Sequence, residues 1–428
     1  MNIDDVEDFI ANNNEIAQLY DILALTEKKI KTLKFSVDRY PYFVDLEKFL
    51  KNNFTNYTHE ILQANHNWRQ LQNTNFDKDL IFIQMFDGFE YNLLRSFTEE
   101  NDSIKWQYRQ SEQIKFLVSL AKTHPQKVFV LLTSLKFLER ELDENFNLEN
   151  FVPVCIGGDI FHEYEEYKTV KQVLNKTISD KHVICLNNVP RPHRVATVLY
   201  LILKKLDKHC TISFISNDIR RNFTWNEIEA EFFNVSTAGD WIYFNDLSLK
   251  VNFEETAKKL ETYDFLKQDV YYNNSSKSSA KTQNVINFNE RLSNLYKQSL
   301  VEIITESTCF EPTLNLTEKF TNSIYGCNLP IFISTQGTVK YLRDQGFDTF
   351  DDIIDHSYDN EVNPFYRLKK AIDLNSEIIT NRDLALELWQ KSKQRFIDNK
   401  NFFETKFYDI VDGDRKKDLL KIKSNLAK

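Results

Sequence analysis

Glycine is scarce in this chain, with 8 among 428 residues, about 2% where about 7% is usual. Neither G-x-G-x-x-G nor G-x-x-x-x-G-K-[ST] occurs, which excludes the standard dinucleotide fingerprint and the Walker-type phosphate cradle. Any nucleotide site must then be built from side chains and helix N-termini. Cysteine is also sparse. Cys155, Cys185, Cys210, Cys309 and Cys327 are far apart, odd in number and form no C-x-x-C pair. A zinc site or disulfide scaffold is not expected; buried free thiols in a reducing compartment are. Positive charge falls short, 54 Lys and Arg against 63 Asp and Glu, for a net charge of −9. This counts against gathering nucleic acid by bulk electrostatics, although a local basic cleft stays open. Long apolar runs are missing too. The longest, Val195–Leu203, has nine residues, and a spanning helix needs about twenty. The N-terminus MNIDDVEDF is acidic and has no apolar core, so no secretory signal is expected. The expected location is cytoplasmic, without a membrane partner.

Apolar material is ample. Hydrophobic residues make up 42% of the chain, and 34 Phe and 19 Tyr lead the aromatics. At roughly 100–200 residues per domain, two compact domains are predicted. Strand-like runs are Leu80–Phe86, Val128–Leu132, Val152–Ile156, Val183–Leu186, Thr211–Ile215, Val301–Thr305 and Ile331–Ser334. They are continuous apolar runs rich in β-branched residues, the pattern of strands buried on both faces. Helical patterns such as Ser111–Lys122 and His193–Leu206 fall between them. This alternation predicts an α/β fold with parallel sheets. A boundary between two α/β halves fits near 165–180, giving domains 1–175 and 176–362, and the pattern is helical over 363–428. The polar stretch Asn273–Gln283 reads as a solvated loop or a flap beside a site.

Two segments carry chemistry. In the first, strand Val183–Leu186 runs into Asn187, Asn188, Pro190, Arg191, Pro192, His193 and Arg194, and an apolar helix follows at once. Proline suits the first turn of a helix. Three potential cations thus lie at the carboxyl end of a strand, the edge where open α/β sheets bind ligands. A helix N-terminus attracts anions, and Arg adds a bidentate fork for phosphate. A diphosphate site can be assembled this way without glycine; the competing reading is a surface loop with structural ion pairs.

The second segment is Val301–Asp359. Strand VEIIT ends at Glu306 and Ser307, and Thr317, Glu318 and Lys319 head a helical stretch. Strand LPIFIST then leads through Gln336, Gly337 and Thr338 into a helix ending at Gly346. Three of the eight glycines fall here at turn-like points, where backbone geometry is the expected reason. Thr317-Glu318 fits a helix cap with an acidic first turn as well as a ligand role.

The order of strand, TEK-headed helix, P-I-F strand, glycine, helix, GF-x-TF and SYD resembles the C-terminal half of GT-B-type glycosyltransferases. It is closest to a group found in large DNA phages and giant viruses. That group carries an LNR-x-PRPHR loop after a strand, where this chain has LNNVPRPHR at Leu186–Arg194. α-1,3-Fucosyltransferases show a related pair of motifs. Asn188 departs from the viral group's pattern, in which Arg is common, and one expected phosphate contact goes with it. The resemblance spans roughly Val183–Asp359.

It implies two Rossmann-like domains facing each other, an acceptor-side domain at 1–175 and a nucleotide-sugar domain at 176–362. Helices at 363–428 would pack back on the N-terminal domain. Arg191 and Arg194 would face the donor diphosphate, with His193 as a further phosphate ligand. Glu318 would take ribose or sugar hydroxyls, and Lys319 would add positive charge. Glu306 and Ser307 would line the cleft with Thr317, and Asn187 would touch nucleotide or sugar. The expected activity is metal-independent sugar transfer from a nucleotide-diphospho-sugar, with no other cofactor, to a hydroxyl of a glycan, a protein or hydroxymethylated phage DNA. A non-catalytic binding or structural module is the rival. An inverting enzyme needs a general base, for which Asp87 and Asp159 stand at predicted strand ends. The pairs Asp77/Asp79 and Asp412/Asp414 match a metal-holding D-x-D, but neither follows a buried strand as that role requires. The acidic run Asp348, Asp351, Asp352, Asp355, Asp359 reads as a solvated face or caps.

Overall fold

In a computed structural model of the chain, the described residues are 59–64, 80–85, 95–100, 103–108, 119–133, 150–155, 167–187, 192–213, 217–218, 221–222, 288–307, 309, 314, 316–362 and 364–407. They belong to two compact units, and the fold is mixed α/β.

The first unit holds β1 (His59–Ala64), β2 (Leu80–Met85), β5 (Val128–Thr133) and β6 (Phe151–Cys155) in one parallel sheet of order β1-β2-β5-β6. The intervening β3 (Arg95–Glu100) and β4 (Ser103–Tyr108) form a separate two-stranded sheet that, apart from Tyr108, is grouped with the second unit. Strand β6 ends the order, and Pro153, which has no N–H to donate, fits that edge position. Just before it, the Asn150 carboxamide donates to the carbonyls of Ala121, His124 and Lys127. One side chain thereby satisfies the end of the helical turn at 119–123 and the start of the next loop.

The second unit is built on β7 (Val183–Leu186), β8 (Cys210–Ser213), β11 (Val301–Thr305) and β12 (Leu329–Ile333), all parallel, in the order β12-β11-β7-β8. A small antiparallel pair, β9 (Asn217–Asp218) and β10 (Arg221–Asn222), follows β8. From β7 the chain moves outward to β8, then returns to add β11 on the other side of β7. This reversal is the topological switch point beside which open α/β sheets place ligands. The β7–β11 ladder pairs Val301 with Val183 and Glu302 with Ile184. Pro330 again sits in an edge strand, β12.

Eight α-helices among the described residues belong to this unit: α1 (Pro192–Leu203), α2 (Ser293–Lys297), α3 (Glu318–Gly326), α4 (Thr338–Gln345), α5 (Pro364–Leu374), α6 (Ser376–Thr380), α7 (Arg382–Lys391) and α8 (Lys393–Phe402). Every side chain from 193 to 202 is buried, because α1 lies in the core and packs on α5. An all-round apolar helix needs such cover. No described helix is long and apolar enough to cross a membrane. Gly337 (φ 80°) and Gly346 (φ 106°) open and close α4 in the left-handed region, where a Cβ is penalised.

The described helices after Pro364 contribute to the core of the second unit. Ile378, Ile379, Trp389 and Phe396 are buried in one cluster with Val183, Ile303 and Ile331. The Trp389 indole donates to the Cys327 carbonyl at 2.6 Å. The apolar faces of α6, α7 and α8 find their cover on the sheet from which the chain has just emerged.

Candidate functional site

The carboxyl ends of β7 and β11 meet at the switch point, and side chains take over there from the backbone ladder. Thr305, the last residue of β11, donates its hydroxyl to Asn187 Oδ1 at 2.7 Å. Asn187 follows β7 directly; its N–H donates to Ser213 Oγ at 2.9 Å, and that hydroxyl returns a bond to Asn187 O at 3.0 Å. Asn187 is fully buried, so it clamps β7 between β8 and β11 as a strut of the crevice.

Helix α1 begins beyond residues 188–191, at the same edge. Nε2 of His193 lies 2.7 Å from the Glu306 carbonyl. A carbonyl only accepts, so Nε2 carries the proton in this contact. Arg194 Nη2 donates to the same oxygen at 3.4 Å. Both side chains are buried, and the Arg194 charge is felt at Glu318.

Glu306 is the hub. Its N–H donates to Ile333 O of β12, and its carboxylate lies at the N-terminus of α3. Oε2 accepts the Thr317 hydroxyl at 2.6 Å, and Oε1 faces the Thr317 N–H at 3.4 Å. Burial pushes the Glu306 carboxyl above its ordinary value, and Glu318 adds to the push; Lys319 and Thr317 oppose it. Thr317 is also the N-cap of α3, accepting from the Lys319 N–H. Lys319 Nζ donates to Thr317 Oγ1 at 3.3 Å and to Glu318 Oε1 at 2.8 Å. Burial opposes ionisation of Glu318, but the Lys319 ammonium and its hydrogen bond hold the carboxyl below the usual range. Glu318 and Lys319 keep side-chain exposures of 24% and 12%, which makes them the members of the network that a ligand can reach.

The structure thus brings His193, Arg194, Glu306, Thr317, Glu318 and Lys319 into one hydrogen-bonded set, with Ser307 buried beside Glu306 and Asn187 bonded to the adjacent Thr305. Arg191, Asp87, Asp159, Asn188 and the Asp77/Asp79 and Asp412/Asp414 pairs lie outside the described residues, as does Asn273–Gln283. No group of three or more potential metal ligands occurs among the described residues. Cys185, Cys210, Cys309 and Cys327 are buried thiols outside any disulfide.

The acidic run is occupied by the chain itself. Asp348 pairs with Arg395, and Asp351 with Arg343. Asp355 accepts from the Ser357 N–H. Asp359 accepts from the N–H groups of Val339 and Lys340 at 3.2 and 2.9 Å, so the chain's own carboxylate fills the N-terminus of α4. The Tyr358 hydroxyl accepts from the Phe332 N–H and lies 2.9 Å from Nδ1 of His356, whose Nε2 lies 2.8 Å from Thr349 O. Donation to that carbonyl puts the proton on Nε2, so Tyr358 donates to Nδ1. The SYD segment is scaffold, holding β12 and α4 behind the crevice.

Sequence reasoning missed Arg367. It is buried and donates to the carbonyls of Ser334, Glu361, Val362 and Cys309. The loops that follow β11 and β12 are thereby tied to α5. A lone Arg inside PFYRLKK carries no sequence signal of that role.

No known protein family, no curated protein and no solved structure matches this chain.

Proposed function

We propose that the protein is a glycosyltransferase of the GT-B type, whose second unit holds a nucleotide-diphospho-sugar at the β7/β11 switch point. The observation that carries this reading is the convergence on Glu306 of the first turn of α1, through His193 and Arg194, and the N-terminus of α3, through Thr317. Cleavage of a glycosidic bond to a nucleoside diphosphate leaves developing negative charge on the phosphate. Preorganised donors and cations aimed at that charge lower the barrier. Lys319 and the amide dipoles of α1 are the groups at hand, the buried Arg194 adds its charge, and the resemblance adds Arg191. Glu318, ionised and partly exposed, suits a donor hydroxyl. The acceptor is a hydroxyl of a glycan, a protein or a modified phage base, with Asp87 or Asp159 as general base if configuration inverts.

The burial of Arg194 favours a second reading, a non-catalytic module that keeps the crevice as scaffold. Turnover separates the two. Release of nucleoside diphosphate is measured with UDP-, GDP- and dTDP-sugars, for wild type, Glu318→Ala and Arg191→Ala. The transferase reading expects one donor to be hydrolysed or transferred, with both variants impaired. Donor binding without turnover under any condition supports the module.

A further inference from the structure

Lys319 is a cation that a ligand can reach, and its own chain already holds it. Its Nζ donates to Glu318 Oε1 at 2.8 Å and to Thr317 Oγ1 at 3.3 Å. The two contacts are unequal. Thr317 Oγ1 also accepts from the Lys319 N–H at 3.4 Å, and its proton goes to Glu306 Oε2 at 2.6 Å. It therefore offers the ammonium a long contact on a shared oxygen. Glu318 offers a short, charge-assisted one. Glu306 turns both of its carboxylate oxygens to Thr317. The acid that holds Lys319 in place is thus Glu318.

This pairing is unusual for its spacing. Adjacent residues on a helix point in different directions and do not ordinarily face each other. Glu318 and Lys319 meet because they are the first two residues of α3. Helical side chains lean toward the N-terminus, so those of the first turn reach past the end of the helix. The contact between Nζ and the N-cap Thr317 places the ammonium at that end. A helix start attracts anions, and here the chain supplies its own in Glu318. The pair keeps side-chain exposures of 24% and 12%, so a ligand can compete for it.

We infer that the Glu318–Lys319 ion pair is an anion mask: it closes the site to bare phosphate and pyrophosphate, and opens to a diphosphate that carries hydroxyls for Glu318. The identity of that diphosphate rests on the nucleotide-sugar reading above. A phosphate that took the third ammonium proton with the mask closed would lie against the Glu318 carboxylate, and like charges repel. A phosphate that displaced Glu318 from Lys319 would leave the carboxylate without its partner, at a cost. Inorganic anions offer no remedy for either. A nucleotide-sugar does, because its ribose and sugar hydroxyls can donate to the released carboxylate. Selectivity then comes from the unpaired charge that the wrong ligand leaves behind. Glu318 is a specificity-determining residue in this scheme, and Lys319 is the group it guards.

Calorimetric titration of inorganic pyrophosphate tests the mask without a nucleotide. Glu318→Gln keeps the shape and removes the competing charge. It is expected to bind pyrophosphate at least about tenfold more tightly than wild type, through the freed charge-assisted contact. In a Lys319→Met background the same substitution is expected to bring no gain, because the group it frees is absent. No gain in Glu318→Gln overturns the mask. An equal gain in both backgrounds also overturns it, since plain repulsion by Glu318 would act without Lys319. Should Lys319→Met not fold, Lys319→Gln takes its place. UDP, GDP and dTDP are titrated in parallel. The one that binds is expected to gain less than pyrophosphate from Glu318→Gln, and an equal gain overturns the exchange of Lys319 for hydroxyls. A Lys319-dependent gain for pyrophosphate, with no nucleotide bound by either protein, supports the mask and overturns the nucleotide-sugar reading.

Discussion

The Thr317 hydroxyl donates to Glu306 Oε2 at 2.6 Å while its oxygen caps α3 by accepting from the Lys319 N–H. A single side chain therefore joins the end of β11 to the start of α3. Thr317→Val keeps the shape and removes both bonds, leaving a buried carboxylate without its hydroxyl partner. The expected loss is about 1–3 kcal/mol of unfolding free energy, with Thr317→Ser close to wild type. Urea unfolding checks this, and a Val variant as stable as the Ser variant contradicts it.

Arg367 is the second place where the crevice depends on one side chain. Arg367→Met keeps the length of the stem but strands carbonyls of Ser334, Glu361 and Cys309. A loss of about 2–4 kcal/mol is expected. Faster exchange should appear in the loops after β11 and β12 and not in the first unit. Uniform destabilisation across the chain would instead show that Arg367 acts on the fold at large.

The buried carboxyl of Glu302 gives a pH signature with a definite sign. Burial raises it to about 8 from an ordinary 4.5, so the folded chain keeps a proton that the unfolded chain loses. The stability held by that group is full at low pH and is lost as pH rises through this window. Glu302→Gln removes the slope. Between about pH 5 and 7 the variant should gain on wild type by as much as a few kcal/mol. Parallel denaturation curves at all pH values would remove the buried-proton account.

Much of the second unit is legible in the sequence. Val183–Leu186 and Val301–Thr305 appear as strands with the expected bounds, because continuous β-branched apolar runs have few other ways to hide. Thr317 sits at the expected helix start. Strand β1, HEILQA, was missed because its composition is mixed, and β3, RSFTEE, because it is largely polar. The acidic run read as caps or a solvated face; Asp359 and Asp355 do cap. Asp348, however, is answered by Arg395, 47 residues away. Lys176 was invisible for the same reason, since its acceptor Tyr296 lies 120 residues further on. Local pattern shows which edge of the sheet a residue occupies. It does not show which distant carbonyl the residue will meet.

The central claim is that a nucleoside diphosphate binds where α1 and α3 converge on Glu306. Calorimetric titration of UDP, GDP and dTDP into wild type and Lys319→Met tests it most directly. The account predicts that one of the three binds and that the variant, folded by circular dichroism, binds it at least about tenfold more weakly, through loss of a charge-assisted contact. Binding of none of them, or equal affinity in wild type and Lys319→Met, contradicts it.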